Sequence, residues 1–243
     1  KCGDDPNIED IERQYDFLMA HGGPFNIQLS GGEPTLREDL PEIIWLGRQK
    51  GFTFFQLNTN GIRLAAEPDY AKSLKAAGLN TVFLQFDGMS DAAYEALRGR
   101  PLLREKLAAI ESCAAAGLGI VLVPVIAPGV NEEEAGGILR LAMTRMPYVR
   151  GVHFQPLSYF GRCALKRAER PVTIPRMLRL IEKQTEGMMK YADFCGGGAE
   201  SPYCSFHASY MRRGDGSLRL LGRRSGSCCT TSDDSRSSVA GQW

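Results

Sequence analysis

Five short apolar runs constrain the fold more than anything else in the chain: FNIQL at 25–29, TFFQL at 53–57, TVFLQF at 81–86, GIVLVPVI at 119–126 and VHFQ at 152–155. Each is rich in β-branched or aromatic residues and bounded by Gly, Pro or Asn, which reads as a buried strand. The stretches between them carry apolar residues at helical spacing, and a helix is the usual crossover between two parallel strands. Parallel βα units are therefore the economical architecture, giving an α/β fold. The sequence opens on a helical pattern with no strand ahead of it, so a barrel or open sheet lacking its first strand is expected. With 243 residues and 43% hydrophobic content, the chain can fill such a core.

Helix ends are marked in several places. The first helix follows Pro6 and Asn7 and repeats Ile8, Ile11, Tyr15 and Leu18 on one face. A second has Asp39 as cap, Pro41 in its first turn, Leu40, Ile43, Ile44 and Trp45 as apolar residues, and Gly51 as its stop. A third opens at Glu67 and Pro68 and ends at Gly78; a fourth runs over 101–116 with Leu103, Leu107, Ile110 and Ala114 on one face. Asn131 and Glu134 are spaced as a capping box for a fifth, and Pro175 opens a sixth carrying Leu178, Ile181 and Met188. From Tyr191 the composition turns to glycine, small polar residues and cysteine, with a GDG turn that predicts a hairpin. Residues 191–229 are read as a small irregular extension containing Cys and His, and 230–243 as a disordered tail.

A formal net charge of +1 gives no field that would favour nucleic acid or an anionic membrane. No apolar run is long enough to span a bilayer, and KCGDDPNIEDIE lacks the basic and apolar regions of a signal peptide. A soluble cytoplasmic protein is expected. No GxSxG, Walker A or HExxH pattern occurs. His153 falls inside a strand run, where a satisfied core histidine is the plainer reading, and His21 reads as a turn residue.

Ligands of parallel βα folds sit at the C-terminal ends of the strands. Polar and small residues collect there in this chain: Ser30, Gly31, Gly32, Glu33 and Pro34; Asn58, Thr59, Asn60 and Gly61; Gln85, Asp87 and Gly88; Gly129 and Asn131; Gln155 and Pro156. Such residues also end ordinary strands. Five such loops on one rim point instead to a site. Paired glycines let backbone approach a ligand closely, and Glu33 adds an acceptor for a cation.

These segments resemble the radical S-adenosylmethionine (SAM) superfamily. LSGGEPTLRED is similar to its GGEP motif, LNTNG to the segment after its third strand, QFDG to its S-x-D-G segment with Gln85 in the place of Ser, and VPVIAPGVNEEE to its fifth-strand region. The resemblance covers residues 1–160 and implies a partial (β/α)6 TIM-like barrel core over 1–190. It further implies SAM and a 4Fe–4S cluster as cofactors, a low-potential electron donor such as ferredoxin or flavodoxin, and reductive cleavage of SAM to a 5'-deoxyadenosyl radical that abstracts hydrogen from a substrate. By the same resemblance Gly31, Gly32 and Glu33 receive the methionyl ammonium, Asn58, Asn60, Gln85 and Asp87 line the carboxylate, ribose or substrate side, Val125 and Ile126 lie near adenine, and Gln155 meets adenine or substrate. The family's CxxxCxxC motif is absent; only Cys2 precedes the first helix, so the cluster ligands are expected upstream of Lys1 and the chain as given is expected to be inactive.

Of seven cysteines, Cys195, Cys204, Cys228 and Cys229 crowd the C-terminal part with His207. Thiolate and imidazole suit a second iron–sulfur or zinc site, whereas buried cysteines, a hydrogen-bonded histidine and an exposed vicinal pair are the plain alternative. SGSCC and VHFQPLSYFGR resemble the TrsS-like, partly selenocysteine-bearing branch of the superfamily, related to tetraether lipid synthase and pterin methyltransferase proteins. Two rivals follow from the same residues: a cluster-less barrel binding a nucleotide-like ligand, and a metal or redox protein using the C-terminal cysteines.

Overall fold

A computed structural model describes the chain over residues 5–159, 169–196 and 205–221. Its centre is a fully parallel five-stranded sheet built from β1 (Ile27–Leu29), β2 (Phe55–Thr59), β3 (Thr81–Gln85), β4 (Gly119–Val123) and, beyond the short β5 (Val125–Ile126), β6 (Val149–Val152), in spatial order β1-β2-β3-β4-β6. β5 pairs in parallel with β7 (Gln155–Pro156), Val125 opposite Gln155. The interruption between β4 and β5 falls at Pro124, which has no amide hydrogen to give; its carbonyl still accepts from the Gln155 amide at 2.9 Å.

Among the described residues eight α-helices cross between and flank the strands: α1 (Ile8–Ala20), α2 (Leu40–Gln49), α3 (Ile62–Ala66), α4 (Pro68–Ala77), α5 (Asp91–Arg98), α6 (Leu103–Ala115), α7 (Ala135–Thr144) and α8 (Ile174–Gln184). The arrangement is that of a partial TIM-like barrel: the alternation of runs and helical spacing predicts its parallel βα units, and the family resemblance implies the barrel. Side-chain alternation divides the sheet into two faces. Phe55, Leu57, Val82, Leu84, Ile120 and Leu122 are fully buried beneath the helices. On the other face Gln56, Asn58, Phe83, Gln85 and Val123 remain half-buried. A parallel sheet normally covers both faces, so a polar, partly open face is where a ligand belongs.

A second, smaller core joins Ile126, Ala135 and Leu139 to Met177, Leu178 and Ile181 of α8, with Phe194, Tyr210 and Leu218 packed against it. Two antiparallel ribbons follow, β8 (Cys195–Gly196) with β9 (Phe206–His207), and β10 (Tyr210–Arg212) with β11 (Leu218–Leu220). The GDG turn joins the last pair, Gly216 supplying a φ of +85°. Among the described residues no helix is long and apolar enough to cross a membrane.

Several expectations need correction. β2 lies two residues later than TFFQL, so Asn58 and Thr59 are inside the strand. His153 is not in a strand; it lies exposed between β6 and β7, its ring 6.4 Å from that of Phe83. α3 and α5 are additional helices. Asn131 and Glu134 form no capping box: Glu134 instead accepts from the Met89 amide and the Ser90 hydroxyl, and Asn131 turns inward to other partners. Met188 lies past the end of α8 and Trp45 is exposed. The tail at 230–243 lies outside the described residues.

Candidate functional site

All five strands run in one direction, so their C-terminal ends share one edge. The first segment on that edge is Ser30, Gly31 and Gly32, all exposed. Gly31 has φ +148°, a region that L side chains rarely adopt, and a Cβ built on either glycine would meet nothing within 4 Å. Backbone here is open to whatever approaches. Pro34 starts a short 3-10 turn over Pro34–Leu36 and presents no donor; β1 has already ended at Leu29, and the part of Pro34 is to open that turn.

Glu33 joins this loop to β2. Its Oε1 accepts from the Thr35 amide (3.2 Å), the Thr35 hydroxyl (2.7 Å) and the Thr59 hydroxyl (2.6 Å), and its Oε2 from the Asn60 amide (2.7 Å). A carboxylate oxygen offers about two lone-pair positions. Oε1 is thus saturated, while Oε2 has one position left for a further donor. The carboxylate both fastens the loop and keeps one acceptor site for a cation.

Asn60 is tied on three sides. Its amide donates to Glu33, its side-chain Oδ1 accepts from the Ile62 amide at 2.8 Å, and its carbonyl accepts from Lys106 Nζ. Its side-chain NH2 has no partner among the described residues. Gly61, with φ +77°, makes the turn into α3, where a Cβ would lie 2.4 Å from Leu84 Cδ1. Asn58 sits on the open face, its Oδ1 receiving a long 3.4 Å contact from Gln56. Its strand neighbour is Phe83.

At the end of β3 the carboxylate of Asp87 is fully buried. Arg98 of α5 grips it with two bonds, Nε to Oδ2 at 2.8 Å and Nη2 to Oδ1 at 3.0 Å. Gln85 Nε2 adds 2.7 Å to Oδ2, and the Val125 amide 3.1 Å to Oδ1. All four acceptor positions are filled, so Asp87 holds β3, α5 and β5 together and offers a ligand no free lone pair. Asn131 reinforces it, donating to the carbonyls of Asp87 (2.6 Å) and Val125 (2.8 Å) and accepting from the Ala127 amide (2.8 Å). Gln85 stands beside this hub on the open face. Val125 and Gln155 are cross-strand neighbours at the far end of the rim.

Sequence reasoning missed Lys106 and Arg98. Lys106 carried a signal: it lies three, four and seven residues before Ala109, Ile110 and Cys113, all buried, which places it on the inner face of α6.

In the C-terminal ribbons, Cys195 and His207 are register partners, Sγ to Nε2 at 3.5 Å, and both are exposed. Cys204, Cys228 and Cys229 lie outside the described residues. Among the described residues no three His, Cys, Asp or Glu side chains gather as metal ligands.

Four matches to known proteins bear on this site and its fold. The profile of the radical SAM superfamily matches residues 2–142. A 7,8-dihydro-6-hydroxymethylpterin dimethyltransferase of Methanocaldococcus jannaschii is 46% identical over 193 residues, covering 78% of this chain and 38% of the relative. A GTP 3',8-cyclase of Rhodopirellula baltica is 29% identical over 153 residues, covering 62% of this chain and 42% of the relative. The chain spans less than half the length of these two relatives. Among solved structures, a domain of a pyruvate-formate lyase-activating enzyme from Bacteroides vulgatus aligns with a TM-score of 0.54 at 14% identity, covering 69% of this chain and 97% of that one, which speaks for the fold alone.

Proposed function

The chain belongs to the radical SAM superfamily, and on that premise we propose that its rim is the SAM-binding surface of an enzyme of radical chemistry. The observation that carries this reading is the loop at Gly31–Glu33: bare, accessible backbone beside a carboxylate whose Oε2 keeps one acceptor position. A methionyl ammonium needs that combination, since it is a compact cation with three donors.

In this reading the carbonyls of Gly31 and Gly32 and Glu33 Oε2 hold the ammonium. Asn58, the free NH2 of Asn60 and Gln85 face the methionyl carboxylate and ribose, as neutral amides that donate without adding charge. Val125 and Gln155 take the adenine end. Asp87 serves these groups by holding Gln85 and Val125 in place. SAM, when bound, supplies the radical chemistry. The described residues do not fit a 4Fe–4S cluster, because no three ligating side chains converge among them. A low-potential ferredoxin or flavodoxin is the proposed electron donor. The relatives' names put a pterin or a purine nucleotide first among substrate classes to test. A second iron–sulfur or zinc site at Cys195 and His207, with Cys204, Cys228 and Cys229, is a separate proposal supported by the 3.5 Å approach of the first two.

The test uses the intact protein, purified without oxygen and reconstituted with iron and sulfide. Formation of 5'-deoxyadenosine from SAM under dithionite, lost in Glu33→Ala, is expected. A protein that holds its cluster yet neither binds nor cleaves SAM would overturn the reading.

A further inference from the structure

We propose that Lys106 is a positioning residue, a buried ammonium on α6 that fixes Asn60 and Gln85 from beneath the rim; the inference rests on the reading of that rim as the SAM site. Lys106 is fully buried. Its Nζ donates to the Asn60 carbonyl and reaches Gln85 Oε1 at 3.4 Å, and it lies 5.9 Å from the centroid of the Tyr94 ring. From Asn60 the chain of contacts runs on to Glu33 Oε2, and from Gln85 Nε2 to Asp87. An unbroken polar chain, Glu33–Asn60–Lys106–Gln85–Asp87, therefore crosses the ends of β1, β2 and β3, with Lys106 as its middle link.

Burying an ammonium is costly, and Leu or Met would fill the same place beside Ala109, Ile110 and Cys113 at less expense. What an aliphatic side chain cannot do is hold the Asn60 main-chain carbonyl and orient the Gln85 amide that faces the ligand. With the ammonium on Oε1 and the Asp87 carboxylate on Nε2, the Gln85 amide has only one consistent orientation. One N–H of Gln85 then stays available for the ligand, beside the NH2 of Asn60, whose side chain is set by the Ile62 amide donating to its Oδ1.

The charge on Lys106 is also poised to change. Burial lowers its pKa to about 8, with Asp87 and Glu33 pulling upward and Arg98 and Arg100 pushing downward. Those four charges and the Tyr94 ring are the groups that face it from β3, the β1 loop, α5 and the turn after α5. Below about pH 8 the chain has its cation; above it the middle link is neutral and its bonds weaken.

The experiment compares SAM affinity of the intact, cluster-bearing wild type and Lys106→Met by calorimetry from about pH 7 to about pH 9.5. The variant keeps the stem's volume and removes the charge. Wild type is expected to bind roughly tenfold more tightly at the lower pH, the scale of a lost charged hydrogen bond. That ratio should fall towards one as Lys106 deprotonates. SAM's own α-amine titrates at about 7.7–8.0, but it is common to both proteins and cancels in the ratio. A ratio of one throughout, with wild type binding SAM, overturns the proposal and leaves the SAM reading intact; a constant ratio above one marks a merely structural lysine and also overturns it. Wild type that holds its cluster but binds no SAM overturns both. Should Lys106→Met fail to fold, the Gln85 side-chain amide signal and the Gly61 main-chain amide signal, which shares its peptide with the Asn60 carbonyl, decide in SAM-free wild type: a shared midpoint near pH 8 supports the proposal, and no titration overturns it.

Discussion

Glu33 shows how much one side chain can decide. Replacing it with Ala strips four donors of their acceptor and cuts the loop from β2, and a cost of about 2 kcal/mol in denaturant unfolding is expected, besides the loss of SAM binding. Glu33→Gln separates the two effects. Its remaining oxygen can still serve Thr35 and Thr59, but its NH2 then meets the Asn60 amide, donor against donor. Stability should fall by only about 1 kcal/mol, while SAM affinity drops because the spare acceptor is gone. Gly32 offers a cleaner probe of the open backbone. A methyl there meets nothing within 4 Å and the φ is unexceptional, so Gly32→Ala should leave unfolding free energy within about 0.5 kcal/mol of wild type. SAM binding measured by calorimetry should still weaken, because the added methyl occupies the space through which the ligand approaches.

At the scale of elements, α5 matters more than its length suggests. Its N-terminus is capped by the Ser90 hydroxyl, and its last residue, Arg98, closes on the buried Asp87. Arg98→Ala would leave a buried carboxylate held only by Gln85 and the Val125 amide, and a loss of about 3 kcal/mol is expected in denaturant unfolding. This helix was not legible in the sequence: only Ala93 and Tyr94 of its eight residues are buried, too few for an apolar period to stand out. β3 and β4 were legible, because their apolar residues are consecutive and buried. β2 was misplaced by two residues since Asn58 and Thr59, which the site needs inside the strand, read as a loop. The same tension hid Lys106. A charged residue on a helix is ordinarily solvated, and only its spacing to Ala109, Ile110 and Cys113 says otherwise. The GGEP loop was visible for the opposite reason, since glycine, carboxylate and proline serve no strand or helix interior there. Its resemblance to a known family added the ligand, but nothing in the spacing disclosed that Glu33 also bridges to β2.

Across the whole molecule, three kinds of buried group make stability depend on alkaline pH, and they act in opposite directions. Lys106, lowered from 10.5 to about 8, binds fewer protons when folded than when unfolded over that window. Unfolding free energy must therefore rise with pH from about 8 to 10.5, by at most about 1.4 kcal/mol per pH unit from this group. Cys113 runs the other way: burial raises its thiol from 9.0 to about 12, so the folded state keeps a proton that the unfolded chain gives up, and stability falls from about pH 9 upward. Tyr15 and Tyr70, both raised from 10.0 to about 12 chiefly by burial, add the same downward slope from pH 10. Tyr94 and Tyr210 are shifted in the same direction. Between pH 8 and 9 the lysine acts with the least opposition from these groups; near 9 to 10 it and the cysteine roughly offset; above 10 the tyrosines dominate. The contribution of Lys106 is isolated by difference. Subtracting the unfolding free energy of Lys106→Met from that of wild type at each pH removes the cysteine and the tyrosines, and the difference should climb steadily from pH 8 to 10.5. A flat difference would mean that the ammonium titrates alike in folded and unfolded chains, contrary to its complete burial and its place between Asn60 and Gln85.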